Sequence, residues 1–175
     1  AIELLGDVEL VAVCDVDADR AAAGAERLGV PAYADHRELF AVEKPDVVHI
    51  TTPHSEHAAA VIDALDAGIN VIVEKPIARD PQQAAAVEAA AERSSAKIAV
   101  CFQNRYNTPV KAAKELLESG ALGAISGASA TVIWHRTPAY YEAAPWRGTC
   151  LNTVVAAHPG PSFFSQGVIA MISET

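Results

Sequence analysis

Short apolar runs rich in Val and Ile alternate along the chain with longer Ala-rich stretches that carry helix caps. That alternation is the mark of repeated β-α units and therefore of a parallel sheet. It predicts strands at Glu9–Cys14, Ala32–Tyr33, Asp46–Thr51, Asn70–Val73 and Lys97–Cys101. Between them it predicts a helix from Asp17 to Leu28 stopped by Gly29, and a short one opened by Asp35 and Glu38. A third runs from about Ser55 to Ala67 and is closed by Gly68, and a fourth opens at Asp80-Pro81 and reaches about Arg93. The caps have physical reasons: an Asp oxygen accepts the orphan N–H groups, Pro has no N–H to orphan, and Gly tolerates the left-handed exit. Thr108-Pro109 repeats the cap signal before a helix ending at Ser119-Gly120.

From Ile125 to Trp134 the pattern changes to a run of β-formers and small residues longer than any earlier strand. It reads as the first strand of a second, antiparallel layer. The expected organisation is an α/β, doubly wound parallel sheet over residues 1–122, the start of an α+β domain over 123–149, and a divergent tail over 150–175.

Composition narrows the function. A hydrophobic share of 51% with 20% charged residues supports a packed core. The 13 Lys and Arg against 22 Asp and Glu give a net charge of -9, the wrong sign for neutralising a phosphate backbone, so no nucleic-acid partner is expected. No apolar run approaches the roughly 18 residues of a bilayer span, so no membrane partner is expected either. Cys14, Cys101 and Cys150 show no C-x-x-C spacing, which argues against a zinc site or disulfide framework and suits a reducing, cytoplasmic setting; no metal is expected. After Arg147, the only charged residue is Glu174.

Ligands of doubly wound sheets bind outside the carboxyl ends of the strands. The residues there are Asp15 after the first strand, Thr52-Pro53-His54 after the third, Glu74-Lys75-Pro76 after the fourth and Gln103-Asn104-Arg105 after the fifth. Such polar groups on one rim suggest a nucleotide site. Asp15 reads either as the acid that accepts both adenosine ribose hydroxyls or as a helix cap shared with Asp17. Val16 follows it, so no adjacent cation waits for a 2'-phosphate, which tilts the choice toward NAD and leaves NADP open. The glycine turn for the pyrophosphate would stand roughly 20 residues earlier. None of the ten Gly residues forms G-x-G-x-x-G, so the first strand and its turn are read as lacking.

At these loops the sequence resembles the Gfo/Idh/MocA family of NAD(P)-dependent oxidoreductases, from about Ile2 to Thr149. The resemblance rests on Val11 to Asp15 (V-A-V-C-D), Thr52 to His57 (T-P-H-S-E-H), Glu74-Lys75-Pro76, Phe102 to Tyr106 (F-Q-N-R-Y) and Pro145 to Gly148 (P-W-R-G), in that order. It implies a Rossmann-type sheet and hydride transfer between a nicotinamide cofactor and a sugar, polyol or related hydroxy compound. On this pattern Asp15 holds the adenosine ribose, and Thr52, Pro53 and His57 line the middle of the cofactor. His54 stands where the family commonly has Asn. Glu74 and Pro76 flank Lys75, the catalytic residue beside the nicotinamide, with Pro76 cis, and Arg105, Trp146 and Arg147 close that end. A Lys beside the carbinol oxygen can donate a hydrogen bond to it, and partial burial with a nearby cation would lower its amine toward working pH. The family also implies a small-molecule partner and self-association in the full-length form.

The pattern breaks after Thr149. The family continues into a helix carrying an acid or amide and, four residues on, a His; the best match puts Ser165 and Ile169 there, and neither is a base. The tail is therefore read as divergent or out of frame, and this chain alone is not expected to turn over substrate. The alternative reading is a non-catalytic nucleotide-binding or partner-binding remnant. His49, alternating with Val48 and Ile50, reads as a sheet residue.

Overall fold

The computed structural model of the chain describes residues 6–129, 131, 133–143 and 164–165. Compact packing divides the chain after Cys101, earlier than the boundary at 122 expected from the sequence.

The first unit is built of β-α steps: β1 (Val13–Cys14), α1 (Ala18–Leu28), β2 (Ala32–Tyr33), α2 (His36–Glu43), β3 (Val47–Ile50), α3 (His57–Asp66), β4 (Asn70–Glu74), α4 (Pro81–Arg93) and β5 (Ile98–Cys101). The caps form as the sequence predicts. Asp17 accepts the N–H groups of Asp19 and Arg20, Asp35 that of Arg37, and Asp80 that of Gln83. Gly29 and Gly68 take the left-handed exits at φ 70° and 75°.

All strand pairs of this unit are parallel, but they form two ladders, β1-β2 and β3-β4-β5. The break has a place in the fold's logic. In the order 3-2-1-4-5-6 the first strand lies between the second and fourth. Here β1 and β2 match the second and third positions and β3 the fourth, so the interruption falls where that strand belongs. The predicted strand Glu9–Cys14 is accordingly short, with only Val13 and Cys14 paired, because the one ladder partner available to it is the two-residue β2.

The core lies under one face of the three-stranded ladder. Strand β4 alternates: Val71 and Val73 are buried, while Ile72 between them is exposed. Against the buried face pack Val61, Ala64 and Leu65 of α3 and Val87 and Ala90 of α4, with Leu39 and Phe40 of α2 extending the same cluster. The amino ends of the strands are clamped by Asn70, whose side-chain amide donates to the Asp46 carbonyl (2.8 Å) and accepts the Lys97 N–H (2.9 Å). Arg93 grips Asp66 with Nε and Nη2 (2.7–2.9 Å), joining α4 to α3 on an exposed surface. The Tyr33 hydroxyl donates to Glu43, which pushes its ionisation up to about 12.

The second unit carries a 3-10 turn at Gln103–Tyr106, α5 (Thr108–Glu118), β6 (Ile133–Trp134), α6 (Pro138–Glu142) and β7 (Phe164–Ser165). Two expectations are corrected here. The cap of α5 is Asn107, with Thr108 as its first helical residue and Pro109 inside the first turn, where a missing N–H costs nothing. The long strand expected from Ile125 to Trp134 shrinks to Ile133–Trp134, paired antiparallel with Phe164–Ser165. A two-residue partner supplies too few ladder bonds to hold more.

Leu65 is 1% exposed at the centre of the core, whereas the Arg93–Asp66 pair is half exposed. Leu65→Ala is expected to cost about 2–5 kcal/mol in urea unfolding, and Arg93→Ala no more than about 1 kcal/mol.

Candidate functional site

The carboxyl rim of the first unit is shaped by a buried histidine. His57, the first residue of α3, is 0% exposed. Its Nε2 lies 2.7 Å from the Thr52 carbonyl oxygen and its Nδ1 2.7 Å from that of Pro76. The ring thus spans the turn after β3 and the turn after β4. A neutral imidazole donates to one of these carbonyls and an imidazolium to both. The expectation that His57 lines the cofactor is corrected: both ring nitrogens are engaged and no surface is left for a ligand. It positions the two turns that were expected to touch one. His54 stacks edge-on against it, with ring centroids 5.7 Å apart. The Pro53 carbonyl accepts the Glu56 N–H (2.9 Å), which closes the turn carrying Thr52 and Pro53 into α3.

The second turn follows directly from β4. The Lys75–Pro76 peptide is cis, the form implied by the family resemblance. The Pro76 carbonyl is held by His57, so the backbone beside Lys75 is tied to the core. Lys75 itself is exposed, on the turn that directly follows β4. Glu74, the last residue of β4, is half-buried.

At the end of β1, Asp15 and Asp17 divide the two roles left open by the sequence. Asp17 is the helix cap. Asp15 instead receives the Asp17 N–H (2.9 Å) and Arg20 Nη2 (2.9 Å) on Oδ1, and Arg20 Nε (3.0 Å) on Oδ2. The Arg20 hydrogen bond holds its carboxyl below the usual carboxylate range, against some desolvation. Oδ1 is saturated, and one acceptor position remains on Oδ2. A ribose diol needs two, so Arg20 must rotate for both hydroxyls to bind. The expectation that no cation waits near Asp15 is also corrected: Arg20 waits there. Its signal was spacing, since it is the third residue after the Asp17 cap and so can fold back over the strand end.

Arg105 belongs to the second unit, in the 3-10 turn, with its guanidinium 5.4 Å from the Phe102 ring centroid. Trp146, Arg147 and Ile169 lie outside the described residues. Ser165 lies in β7, where the family pattern called for a helix. An open hollow of about 700 Å³ in the first unit, lined by Arg37, Lys44, Asp46 and Asn70 among others, sits at the amino ends of β3 and β4. It is the wrong end of the strands for the ligand of such a sheet.

Parallel β-α construction, an acid at the end of β1 and a lysine on a cis-proline turn after β4 define a Rossmann-type dinucleotide-binding protein. Residues 2–102 match the family described as "Oxidoreductase family, NAD-binding Rossmann fold" (GFO_IDH_MocA), and the chain belongs to it. It is 35% identical over 120 residues to D-glucoside 3-dehydrogenase of Escherichia coli K12, covering 68% of this chain and 34% of that protein. It is 37% identical over 116 residues to inositol 2-dehydrogenase of Rubrobacter xylanophilus, covering 66% and 33%. Among solved structures it resembles the WlbA dehydrogenase of Bordetella pertussis in complex with NADH and UDP-GlcNAcA, with TM-score 0.72 and 27% identity over 80% of this chain and 43% of that one. The chain spans about a third of the length of the curated relatives it matches.

The Asp15 carboxylate at the end of β1 keeps one acceptor position, and the Thr52 and Lys75 turns follow β3 and β4. The glycine turn that would hold the diphosphate is not among the 175 residues.

Two predictions follow from the rim. His57→Ala removes the fully buried ring that the Thr52 and Pro76 carbonyls face and leaves a cavity, so unfolding is expected to be about 3–5 kcal/mol easier, with faster amide exchange in the Thr52 and Pro76 turns. For Asp15, a folded ionisation below the unfolded value contributes stability above about pH 4 that is lost as pH falls through the folded value. Arg20→Ala is therefore expected to move the Asp15 titration upward by NMR and to weaken this acid-side loss.

Proposed function

We propose that this chain is the cofactor-binding segment of an NAD(P)-dependent oxidoreductase acting on a sugar, polyol or related hydroxy compound. The observation that carries the reading is Lys75, exposed on the Lys75–Pro76 turn whose backbone His57 fixes, on the rim where such sheets bind their ligands. A nicotinamide cofactor supplies the site with a hydride acceptor or donor. Lys75 would hydrogen-bond the substrate's carbinol oxygen: as the neutral amine it would take the hydroxyl proton while the carbinol carbon gives up hydride, and as the ammonium it would return that proton in the reverse direction. Glu74 and Pro76 fix where the lysine emerges from the sheet, while Thr52, Pro53 and His54 form the neighbouring wall of the cleft.

Asp15 selects the adenosine end. With Arg20 turned aside it accepts the ribose hydroxyls of NAD, and with Arg20 left in place the guanidinium offers a partner to a 2'-phosphate. NAD is the primary cofactor on the strength of the acid, and Arg20 keeps NADP within reach. Arg105 and the Trp146-Arg147 pair are assigned to the nicotinamide end on the family's pattern.

No described helix is long and apolar enough to cross a membrane. Cys14 and Cys101 are free thiols, which suits a reducing, cytoplasmic setting. The partner is a small hydroxylated molecule, and the full-length protein associates with copies of itself on the family's pattern. The second reading, a non-catalytic remnant that still binds nucleotide, is favoured by Ser165 and Ile169 at the places of the family's acid and His.

A chimaera separates the two readings. Residues 2–102 replace the matched stretch of the E. coli relative, whose own flanking regions complete the fold. The oxidoreductase reading expects NADH binding and polyol-dependent nicotinamide reduction, with kcat lowered about 10²–10⁴-fold by Lys75→Ala and NADH affinity nearly unchanged. A folded chimaera that binds NADH and turns over nothing supports the remnant; unchanged kcat in Lys75→Ala removes the lysine from the chemistry.

A further inference from the structure

The exposed face of the three-stranded ladder carries a group of side chains of which the oxidoreductase reading uses only Glu74, as the residue before Lys75. The register sets His49 of β3 opposite Ile72 of β4, and Glu74 of β4 opposite Cys101 of β5. Because strand side chains alternate with period two, His49, Glu74 and Cys101 all rise from the face opposite the buried Val71 and Val73. One ligating atom of each lies within 4.8 Å of the others, and Cys101 Sγ is 3.9 Å from His49 Nε2. His49 is exposed and the other two are half-buried, so an ion can reach them from solvent. Among the described residues, no hydrogen bond or ion pair engages the Glu74 carboxylate.

We infer that His49, Glu74 and Cys101 form a binding site for a zinc-class divalent cation, with the fourth position left to water. Three arguments converge on that class. A thiolate, an imidazole and a carboxylate are the ligand types zinc accepts together, whereas calcium and magnesium take oxygen alone. The separations are near those a tetrahedral ion imposes: bond lengths of about 2.3 Å to sulfur and 2.0–2.1 Å to nitrogen put the two ligands about 3.6 Å apart. The Cys101–His49 pair thus needs only a few tenths of an ångström of closure, and the Glu74 side chain has the rotamers to bring its oxygen inward. The charges also balance, since thiolate and carboxylate together neutralise a dication beside a neutral imidazole.

The proposed site departs from the expectation of no metal, which rests on the cysteines' lack of C-x-x-C spacing. Its ligands come from three neighbouring strands and are brought together by register, so spacing along the chain carries no trace of them. The inference stands on these side chains alone and is independent of the proposed reaction.

The test is metal titration of the untagged chain. Zinc in a calorimeter is expected to bind one equivalent per chain, and cobalt(II) to give a thiolate-to-metal charge-transfer band with tetrahedral visible bands. Cys101→Ser is expected to abolish the charge-transfer band, and His49→Gln and Glu74→Gln each to weaken zinc binding by about tenfold or more. Cys14→Ser is expected to leave both readouts in place, because Cys14 lies in the other ladder. Circular dichroism checks that each variant stays folded. If Cys101→Ser unfolds, His49→Gln and Glu74→Gln decide. A charge-transfer band that survives Cys101→Ser, or zinc affinity unchanged in both His49→Gln and Glu74→Gln, would overturn the assignment.

Discussion

One buried imidazole holds the rim together. At their amino ends β3, β4 and β5 are tied by the Asn70 side chain, and along their length by the parallel ladder and the helices beneath. At the carboxyl ends the ladder stops, and the two turns that carry Thr52 and Lys75 leave the sheet. His57 bridges those turns by reaching a carbonyl of each from a fully buried position. A polar ring buried this completely is tolerated because its N–H has a carbonyl acceptor within reach. The same need fixes the geometry: the first turn of α3, the Thr52 carbonyl and the Pro76 carbonyl must converge on one ring. Lys75 inherits a defined starting point for its flexible side chain, with its own charge left in water.

The other end of the rim obeys a different physics. Asp15 and Arg20 are largely exposed, so their pairing is a modest attraction in water and can be exchanged for a ligand. The Asp15 carboxylate is oriented by the Asp17 N–H and made more acidic by Arg20, yet it keeps only one free acceptor. The turns after β3 and β4 therefore have a fixed geometry, whereas the end of β1 carries an exchangeable ion pair.

Much of this fold was legible in the sequence because its signals are local. The caps at Asp17, Asp35 and Asp80, the exits at Gly29 and Gly68, and the buried runs of β3 to β5 are each decided within a few residues. What depended on partners was not legible. The residues from Ile125 to Trp134 have strand propensity throughout, but only Ile133 and Trp134 find a described partner strand. His57 looked like a rim residue because it follows Thr52-Pro53-His54 in the chain, and nothing in its neighbours announces that Pro76, in another turn, will close over it.

The two sets of chemically capable residues on the first unit differ in how a sheet presents them. Asp15, Thr52 and Lys75 follow strands, where the rule that ligands bind beyond carboxyl ends finds them without knowing the strand order. His49, Glu74 and Cys101 lie within strands, and their meeting depends on which strands pair and in what register. A one-residue slip of β5 against β4 would turn Cys101 toward the core and scatter the group. The register is held by the interior, where Val71 and Val73 must face α3 and α4. Burial on one face therefore sets the composition of the other, and the three ligands are together because two valines cannot be exposed cheaply.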